Sequence, residues 1–222
     1  MVDAVIFDLD GVLVDSETIW DEARRTVVAR EGGTWADTAT RDMMGMSSYE
    51  WSAYLHDRLG VRLEPNEISS EVAGLVERAY QEHLPLLPGA LDAVSRLGAR
   101  WPLGVASSSN RTIIDCVLDA SGLRDAFAAT VSSEEVAHGK PAPDVFLEAA
   151  RRLELPAFRC TAIEDSANGI RSAHAAGMRV VVIPNTHYPP PADVLALADA
   201  RLGSLAALAT ASIQGPVQGT GP

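Results

Sequence analysis

The sequence predicts an α/β fold in which helices cover a parallel sheet and a small helical domain is inserted after the first strand. Three observations support this prediction. Short apolar runs, typical of strands buried on both faces, alternate with segments in which apolar residues recur at the period of a helix. Residues 8–102 separate the first two apolar runs, far more than the roughly dozen residues that a simple crossover between parallel strands needs. Most of that separation, residues 17–83, has a helical pattern throughout.

Five apolar runs predict the strands. The first, AVIF at residues 4–7, ends abruptly in acidic residues and glycine, as a buried strand does when it reaches the edge of a sheet. The other runs have the same character, and each lies between segments of helical period. The predicted strands cover residues 4–7, 103–107, 129–132, 161–164 and 179–183.

Apolar residues spaced three or four positions apart predict the helices, because this spacing places them on one face. In the main body the pattern covers residues 91–97, 113–118, 146–153 and 170–176, and Gly177 is expected to end the last of these helices. In the inserted segment, the periodic residues are Ile19, Trp20, Ala23 and Val27; Trp51, Tyr54, Leu55 and Leu59; and Ile68, Val72, Leu75, Val76 and Tyr80.

These elements divide the chain into two predicted domains and a tail. Residues 1–15 and 85–211 would form the core domain, and residues 16–84 would form a helical cap. Pro85 and Pro88 mark the return of the chain from cap to core. From residue 212 onward the sequence is rich in Gly and Pro and has no period, so we predict a disordered tail over residues 212–222.

Composition and charge exclude several classes of partner. The chain has 18 Lys and Arg against 30 Asp and Glu, a formal net charge of −12, which disfavours general binding to nucleic acid. No apolar run approaches the roughly 20 residues that a membrane-spanning helix needs, so we expect no membrane association. The N-terminal segment lacks the basic region of a secretory signal, which favours a cytoplasmic protein with Cys116 and Cys160 as reduced thiols. We expect a monomer, with a dimer as the alternative.

Polar and charged residues follow the predicted strands at their carboxyl ends, where parallel sheets bind ligands. Because these ends meet at one edge of the sheet, we expect the residues to converge on one crevice. Carboxylates this close together would repel one another, so the oxygen-rich set predicts a Mg²⁺ site. The candidate residues are Asp8, Asp10 and Gly11; Ser107, Ser108 and Asn110; Lys140; and Glu164 and Asp165.

The residue types suggest a phosphoryl-transfer chemistry. The carboxylate of Asp8 could attack a phosphorus atom, and Asp10 could protonate the leaving oxygen and later deprotonate the hydrolytic water. Lys140 and the Ser107 hydroxyl could hold the transferring phosphoryl oxygens. Asn110, at the start of the following helix, could help to place the phosphate near the positive end of that helix.

Four segments of the chain resemble the four motifs of the haloacid dehalogenase superfamily. They are DLDGVLVDSE at 8–17, LGVASSSN at 103–110, GKPAPDVF at 139–146 and AIEDSANGIRSAHAAGM at 162–178. Within subfamily IA, the chain resembles the β-phosphoglucomutase-like sugar phosphatases, and the resemblance covers residues 2 to 209. It implies a Rossmann-like three-layer core, an inserted helical cap of the C1 type and an aspartyl-phosphate intermediate. Ser107 and Lys140 match the phosphate-binding pair of the family.

The same resemblance implies further roles. Asp8 corresponds to the nucleophile and a metal ligand, and Asp10 corresponds to the general acid and base, which also binds Mg²⁺ through its backbone carbonyl. Asp165 corresponds to a metal ligand, and Glu164 would bind the ion directly or through water. The predicted function is therefore Mg²⁺-dependent hydrolysis of a small phosphorylated substrate.

Two classes with a similar sheet fit less well. The dehalogenases of the superfamily need no Mg²⁺ and lack the second motif aspartate, which this chain has as Asp10. Phospho-receiver domains place the phosphorylated aspartate on the third strand and have no use for a cap, whereas Asp8 follows the first predicted strand here. We therefore favour an enzyme over a signalling domain.

The choice among phosphatases and mutases depends on the cap. The β-phosphoglucomutases use a histidine early in the first cap helix, where this chain has Trp20, and a lysine and arginine around a Gly-x-Ser loop, where it has Met44 and Ser48. These departures favour water as the phosphoryl acceptor.

Three segments indicate the substrate class. The segments WDEARR, LLPGA and ASSSN are similar to phosphatases of hexose and hexitol phosphates, which favours a sugar or polyol phosphate as the substrate. A phosphomutase and a phosphoglycolate-type phosphatase remain the alternatives.

Some cap residues are candidates for contact with the leaving group. Trp20 and Gly45 occupy positions that face the substrate in the relatives. Trp51 could line the same wall, but packing inside the cap explains it equally well. Arg41 is a possible substrate contact, although a solvated charge on a helix explains it better. Of the cap arginines Arg24, Arg25 and Arg41, any could point into the cavity.

Overall fold

The computed structural model describes residues 2–215, and its centre is a six-stranded sheet with the order β3-β2-β1-β4-β5-β6. Every neighbouring pair of strands is parallel. The first strand therefore lies in the middle of the sheet, between the second and the fourth. The strands are β1 (Ala4–Phe7), β2 (Leu103–Ser107), β3 (Ala129–Ser132), β4 (Cys160–Glu164), β5 (Arg179–Val182) and β6 (Ala200–Arg201).

The α-helices fall into two groups. Those between β1 and residue 83 form the inserted segment and are α1 (Glu17–Arg30), α2 (Ala39–Asp42), α3 (Ser48–Asp57) and α4 (Pro65–Glu82). The others connect or follow the later strands and are α5 (Ala90–Gly98), α6 (Arg111–Ser121), α7 (Asp144–Arg152), α8 (Ala167–Ala175), α9 (Ala192–Leu195) and α10 (Thr210–Gln214). None of the helices in the described range is both long enough and apolar enough to cross a membrane.

The sheet separates two apolar cores, as the alternation of side chains along β1 requires. Val5 and Phe7 pack into one core together with α5, α6 and the inserted helices, whereas Ala4 and Ile6 pack into the other with α7 and α8. All four side chains are fully buried. This arrangement has three layers, helix on sheet on helix, and it confirms the predicted α/β fold with a Rossmann-like core.

The inserted helices pack on one another and on the core. Trp20 of α1 meets Trp51 of α3 with ring centroids 5.9 Å apart. Helix α4 contacts α1, α3 and also α6 of the core, so it joins the cap to the rest of the molecule. Helix α3 begins at Ser48 because Ser47 caps it: the Glu50 amide donates to Ser47 Oγ, and the Glu50 carboxylate accepts from the Ser47 amide.

Two predictions need correction. Strand β6 was not predicted, because two residues are too short to carry a strand pattern. The disordered tail was predicted to begin at residue 212, but α10 includes residues 212–214. Ile213 is fully buried, and its carbonyl accepts a hydrogen bond of 2.9 Å from Thr161 Oγ1. Contact with β4 therefore orders this segment, and the rest of the predicted tail, residues 216–222, lies outside the described residues.

Candidate active site

A cavity of about 90 Å³ lies where the carboxyl edge of the sheet meets the inserted helices. The core contributes the turn after β1, the loop after β2, Lys140 and the segment after β4. Helix α1 and residues 40–51 close the cavity from the other side. Of the predicted site residues, the cavity wall includes Asp8, Asp10, Gly11, Trp20, Gly45, Ser108, Lys140 and Asp165.

Lys140, the only lysine in the sequence, is buried between two carboxylates. Its Nζ lies 2.9 Å from Asp8 Oδ1 and 2.7 Å from Glu164 Oε1. Burial works against the charged amine, but the attraction of Asp8 and Glu164 prevails and raises the pKa of Lys140 above its usual value. The lysine is thus fixed as a cation next to the predicted nucleophile.

Three carboxylates at this edge could hold a metal ion. Asp8, Glu164 and Asp165 are buried, and each offers an oxygen within 4.8 Å of the others. Burial raises the pKa of Asp8 to about 7, against the pull of Lys140, and the charge of Glu164 adds to the rise. Burial and the charge of Glu164 also raise the pKa of Asp165 well above its usual value. Both shifts reflect burial of these acids and their mutual repulsion.

An unused oxygen supports the metal site. Asp165 Oδ1 is buried and has no hydrogen-bond partner within the described part of the chain. Asp165 Oδ2 accepts a hydrogen bond of 3.0 Å from Asn185 Nδ2, which fixes the direction of the carboxylate. A buried oxygen of this kind, among carboxylates, suits a hard divalent cation. The donor set therefore fits Mg²⁺, with Asp8, Glu164 and Asp165 as the residues that would hold it.

Gly11 lets the turn after β1 approach this acidic group. Its φ of +74° lies in the left-handed region, and a Cβ at this position would overlap the carboxylate of Asp165. The glycine is therefore needed for both the turn and the close approach of Asp165.

Asp10 is held from both sides of the cavity. Trp20 Nε1 in helix α1 donates to Asp10 Oδ1 at 3.0 Å, and Ser109 Oγ after β2 donates to Asp10 Oδ2 at 2.5 Å. One of these donors belongs to the inserted segment and the other to the core. The carboxylate predicted to act as acid and base thus has a fixed orientation that depends on the cap.

The structure does not place every predicted residue on the cavity wall. Ser107 is fully buried, and its Oγ accepts a hydrogen bond of 3.0 Å from the Ser109 amide. Asn110 lies outside the cavity, and its side-chain Nδ2 donates to Glu134 Oε1 at 2.7 Å and to Ser69 Oγ at 3.0 Å. Asn110 therefore connects α4 to the core, and its predicted contact with the phosphate has no support in this geometry.

Other residues line the cavity, although the sequence assigned them no role in the site. Ser109 lies in a run of three serines, where only the path of the loop decides which hydroxyl faces inward. Arg24 could have been found, because it follows Trp20 by four residues and therefore shares its helix face. Arg41, the arginine considered as a contact, is exposed. The residues on the wall without an assigned role include Ser16, Glu17, Arg24, Ser109 and Ser166.

Known proteins resemble this chain in sequence and fold. Residues 2–177 match the family model described as haloacid dehalogenase-like hydrolase. Hexitol phosphatase B of Escherichia coli K12 is 33% identical over 229 residues, covering 96% of each chain. Fructose-1-phosphate phosphatase YqaB of the same strain is 31% identical over 177 residues, covering 80% of this chain and 94% of the relative.

Solved structures also resemble this chain in fold. CbbY from Rhodobacter sphaeroides in complex with phosphate superposes with a TM-score of 0.86 at 28% identity, over 96% of this chain and 99% of CbbY. The similarity therefore includes the helices of the inserted segment as well as the sheet.

Proposed function

Because the chain belongs to the haloacid dehalogenase-like hydrolase family and is a phosphatase, we propose that it hydrolyses a small sugar or polyol phosphate, with Mg²⁺, through a phosphorylated Asp8. The observation that carries this proposal is the convergence of two different carboxylates on one cavity. Asp8 is buried beside a lysine and two acids, whereas Asp10 is held by hydroxyl and indole donors. Two carboxylates in unlike surroundings suit a nucleophile and an acid-base group.

In the first step, a carboxylate oxygen of Asp8 attacks the phosphorus atom, and the bond from phosphorus to the leaving oxygen breaks. Asp10 donates its proton to that oxygen, and the free alcohol departs. Lys140 stays charged beside Asp8 and offsets the negative charge that gathers on the phosphoryl group. When bound, Mg²⁺ would neutralise the buried acids and polarise the phosphoryl oxygens.

In the second step, water attacks the phosphorus atom of the phosphorylated Asp8. Asp10, now ionised, takes a proton from the water, and the Asp8 carboxylate is released together with inorganic phosphate. Trp20 and Ser109 support both steps, since their donors keep Asp10 pointing in one direction. The same residue therefore serves as acid and then as base.

The substrate class rests on the relatives and on the cap. Two relatives are named for hexitol and fructose-1-phosphate, which are small polyhydroxylated phosphates. A cavity this small suits such molecules better than a nucleotide or a phosphoprotein. A mutase would need to retain a phosphorylated sugar between two transfers, and this chain has Trp20 where the β-phosphoglucomutases have a histidine.

The test is a hydrolysis assay over sugar, polyol, nucleotide and short-chain phosphates, with Mg²⁺ and with EDTA. We expect the highest kcat/KM for a sugar or polyol phosphate, no turnover in EDTA and none for Asp8→Asn. Asp125→Asn, which alters an exposed aspartate away from the cavity, should keep full activity. Turnover by Asp8→Asn would refute the mechanism, and a preference for phosphoglycolate or nucleotides would refute the substrate class.

A further inference from the structure

Arg24 has surroundings that the proposed reaction does not explain. It lies on α1, lines the cavity, and its guanidinium carbon is 5.1 Å from the ring centroid of Trp20 and 5.0 Å from that of Trp51. The guanidinium contacts both indoles, and these contacts limit the directions in which it can donate hydrogen bonds. The cap thus presents an arginine in a fixed position.

Arg24 forms no ion pair or hydrogen bond with a carboxylate of the described residues. Within residues 2–215 no carboxylate comes within ion-pair distance of it, and its Nε is buried without a hydrogen-bond partner. Burial lowers the pKa of Arg24 to about 10, although the charges of Asp10 and Asp21 act in the opposite direction, and the side chain stays charged at neutral pH. A desolvated charge without a partner is costly, and an anionic ligand would remove that cost.

The next arginine along the helix shows the contrast. Arg25 is exposed, pairs with Asp21 at 2.6 Å and stacks on Trp35. Its charge is satisfied within the protein and in solvent. The two arginines thus have the same chemistry and neighbouring positions, but only Arg24 borders the cavity.

The position of Arg24 indicates which part of a substrate it meets. The indole of Trp20 contacts Asp10 through its Nε1 and Arg24 through its ring, so one indole separates the proposed acid from the guanidinium. Lys140, the other cation of the wall, is bound to Asp8 and Glu164. An anion at Arg24 would therefore belong to the leaving group and not to the phosphoryl group that is transferred.

We propose that Arg24 selects substrates whose leaving group carries a second anionic group, a carboxylate or another phosphate. This inference rests on the proposed phosphatase function and narrows its substrate class to sugar or polyol phosphates that also carry a carboxylate or a second phosphate. Arg24 is then a specificity-determining residue: it binds the far end of the substrate and takes no part in the transfer of protons or of the phosphoryl group.

The experiment compares substrates that differ only in the distal group. Glycerol 3-phosphate against 3-phosphoglycerate, and glucitol 6-phosphate against 6-phosphogluconate, each exchange a CH₂OH for a carboxylate. Fructose 6-phosphate against fructose 1,6-bisphosphate tests a second phosphate. We expect the wild-type protein to prefer the anionic member of at least one pair by about tenfold or more in kcat/KM, as a charge-assisted hydrogen bond provides.

The variants assign this preference to Arg24. Arg24→Gln should reduce the ratio of kcat/KM for the anionic member to kcat/KM for the neutral member by about tenfold or more, and Arg25→Gln should leave this ratio intact. Arg24→Lys, which keeps the charge but loses the planar geometry, should retain part of it, and this variant decides the matter if Arg24→Gln does not fold. A structural role alone would lower both members of a pair equally, and that result would overturn the inference.

Acetyl phosphate, which has no distal group, separates this inference from the proposed function. If the wild-type protein hydrolyses acetyl phosphate but prefers the neutral member of every pair, Arg24 does not select anions and the phosphatase proposal stands. If it hydrolyses none of these phosphates, the proposed function itself fails.

Discussion

At the scale of single residues, the hydrogen bonds to Asp10 connect the cap to the proposed chemistry. Both carboxylate oxygens of Asp10 are occupied, one by the indole of Trp20 and one by the hydroxyl of Ser109. A leaving group must replace or share one of these donors to reach the carboxylate. The donor that remains then keeps Asp10 in place.

Trp20→Phe tests the donor from the cap. The variant keeps an aromatic ring beside Arg24 but removes the indole N–H, so we expect kcat to fall by about 10- to 100-fold with a smaller change in KM, in line with the loss of one hydrogen bond to a charged group. Steady-state kinetics with the best substrate measures the change. Trp35→Phe is the matched control, because the Trp35 indole N–H has no partner among the described residues. An unchanged kcat in Trp20→Phe would show that Asp10 does not depend on this donor.

Lys140→Met tests the buried ion pairs. Without the lysine, the carboxylates of Asp8 and Glu164 lose their positive partner, so we expect loss of activity and a decrease of about 3–5 kcal/mol in the free energy of unfolding in EDTA. Urea unfolding followed by circular dichroism measures this decrease. A variant as stable as the wild-type protein in EDTA would mean that these acids do not need the lysine for folding.

At the scale of elements, the start of α3 fixes a surface between cap and core. Ser47 and Glu50 cap the helix reciprocally, and a Cβ at Gly139 would press against Ser47. Nearby, Gly45 and Met44 accept hydrogen bonds from Ser108 and Asn168 of the core. The capping box of Ser47 and Glu50 therefore orders the segment before α3, which closes the cavity.

Ser47→Ala removes the side-chain cap of α3. We expect the free energy of unfolding to fall by about 1 kcal/mol, as for other capping residues. Ser70→Ala serves as the control, because Ser70 lies within α4 and is exposed, and its hydroxyl donates to the Asn66 carbonyl of its own helix. Urea unfolding of the two variants compares them directly, and an equal effect would mean that the capping box contributes nothing beyond an ordinary serine.

At the scale of the whole molecule, we expect a divalent cation bound among the buried acids to stabilise the fold. Three buried carboxylates share one lysine, and Mg²⁺ would supply the missing charge. The net charge of −12 adds a general repulsion, but the cost is concentrated where these acids meet.

Addition of Mg²⁺ to about 100 times its Kd should therefore raise the Tm by about 5–10 °C relative to EDTA, since binding to the native state alone is worth about 2.7 kcal/mol at that ratio. Asp165→Asn should abolish most of the shift, whereas Asp125→Asn should keep it. Differential scanning calorimetry at both conditions provides the measurement. A Tm that does not respond to Mg²⁺ would contradict the assignment of these carboxylates as metal ligands.

The sequence by itself determined the order of the elements, the parallel sheet, the helical insertion and the acids at the strand ends. Local periodicity carries that information, and parallel pairing brings the carboxyl ends of strands to one edge. Only the tertiary structure decided that Ser109 and not Ser107 lines the cavity, and that Asn110 faces Ser69 and Glu134. These outcomes depend on contacts between distant parts of the chain, such as Ser109 with Asp10 and Thr161 with Ile213. Such contacts leave no periodic signal, because the direction of a loop side chain is set by what packs against it.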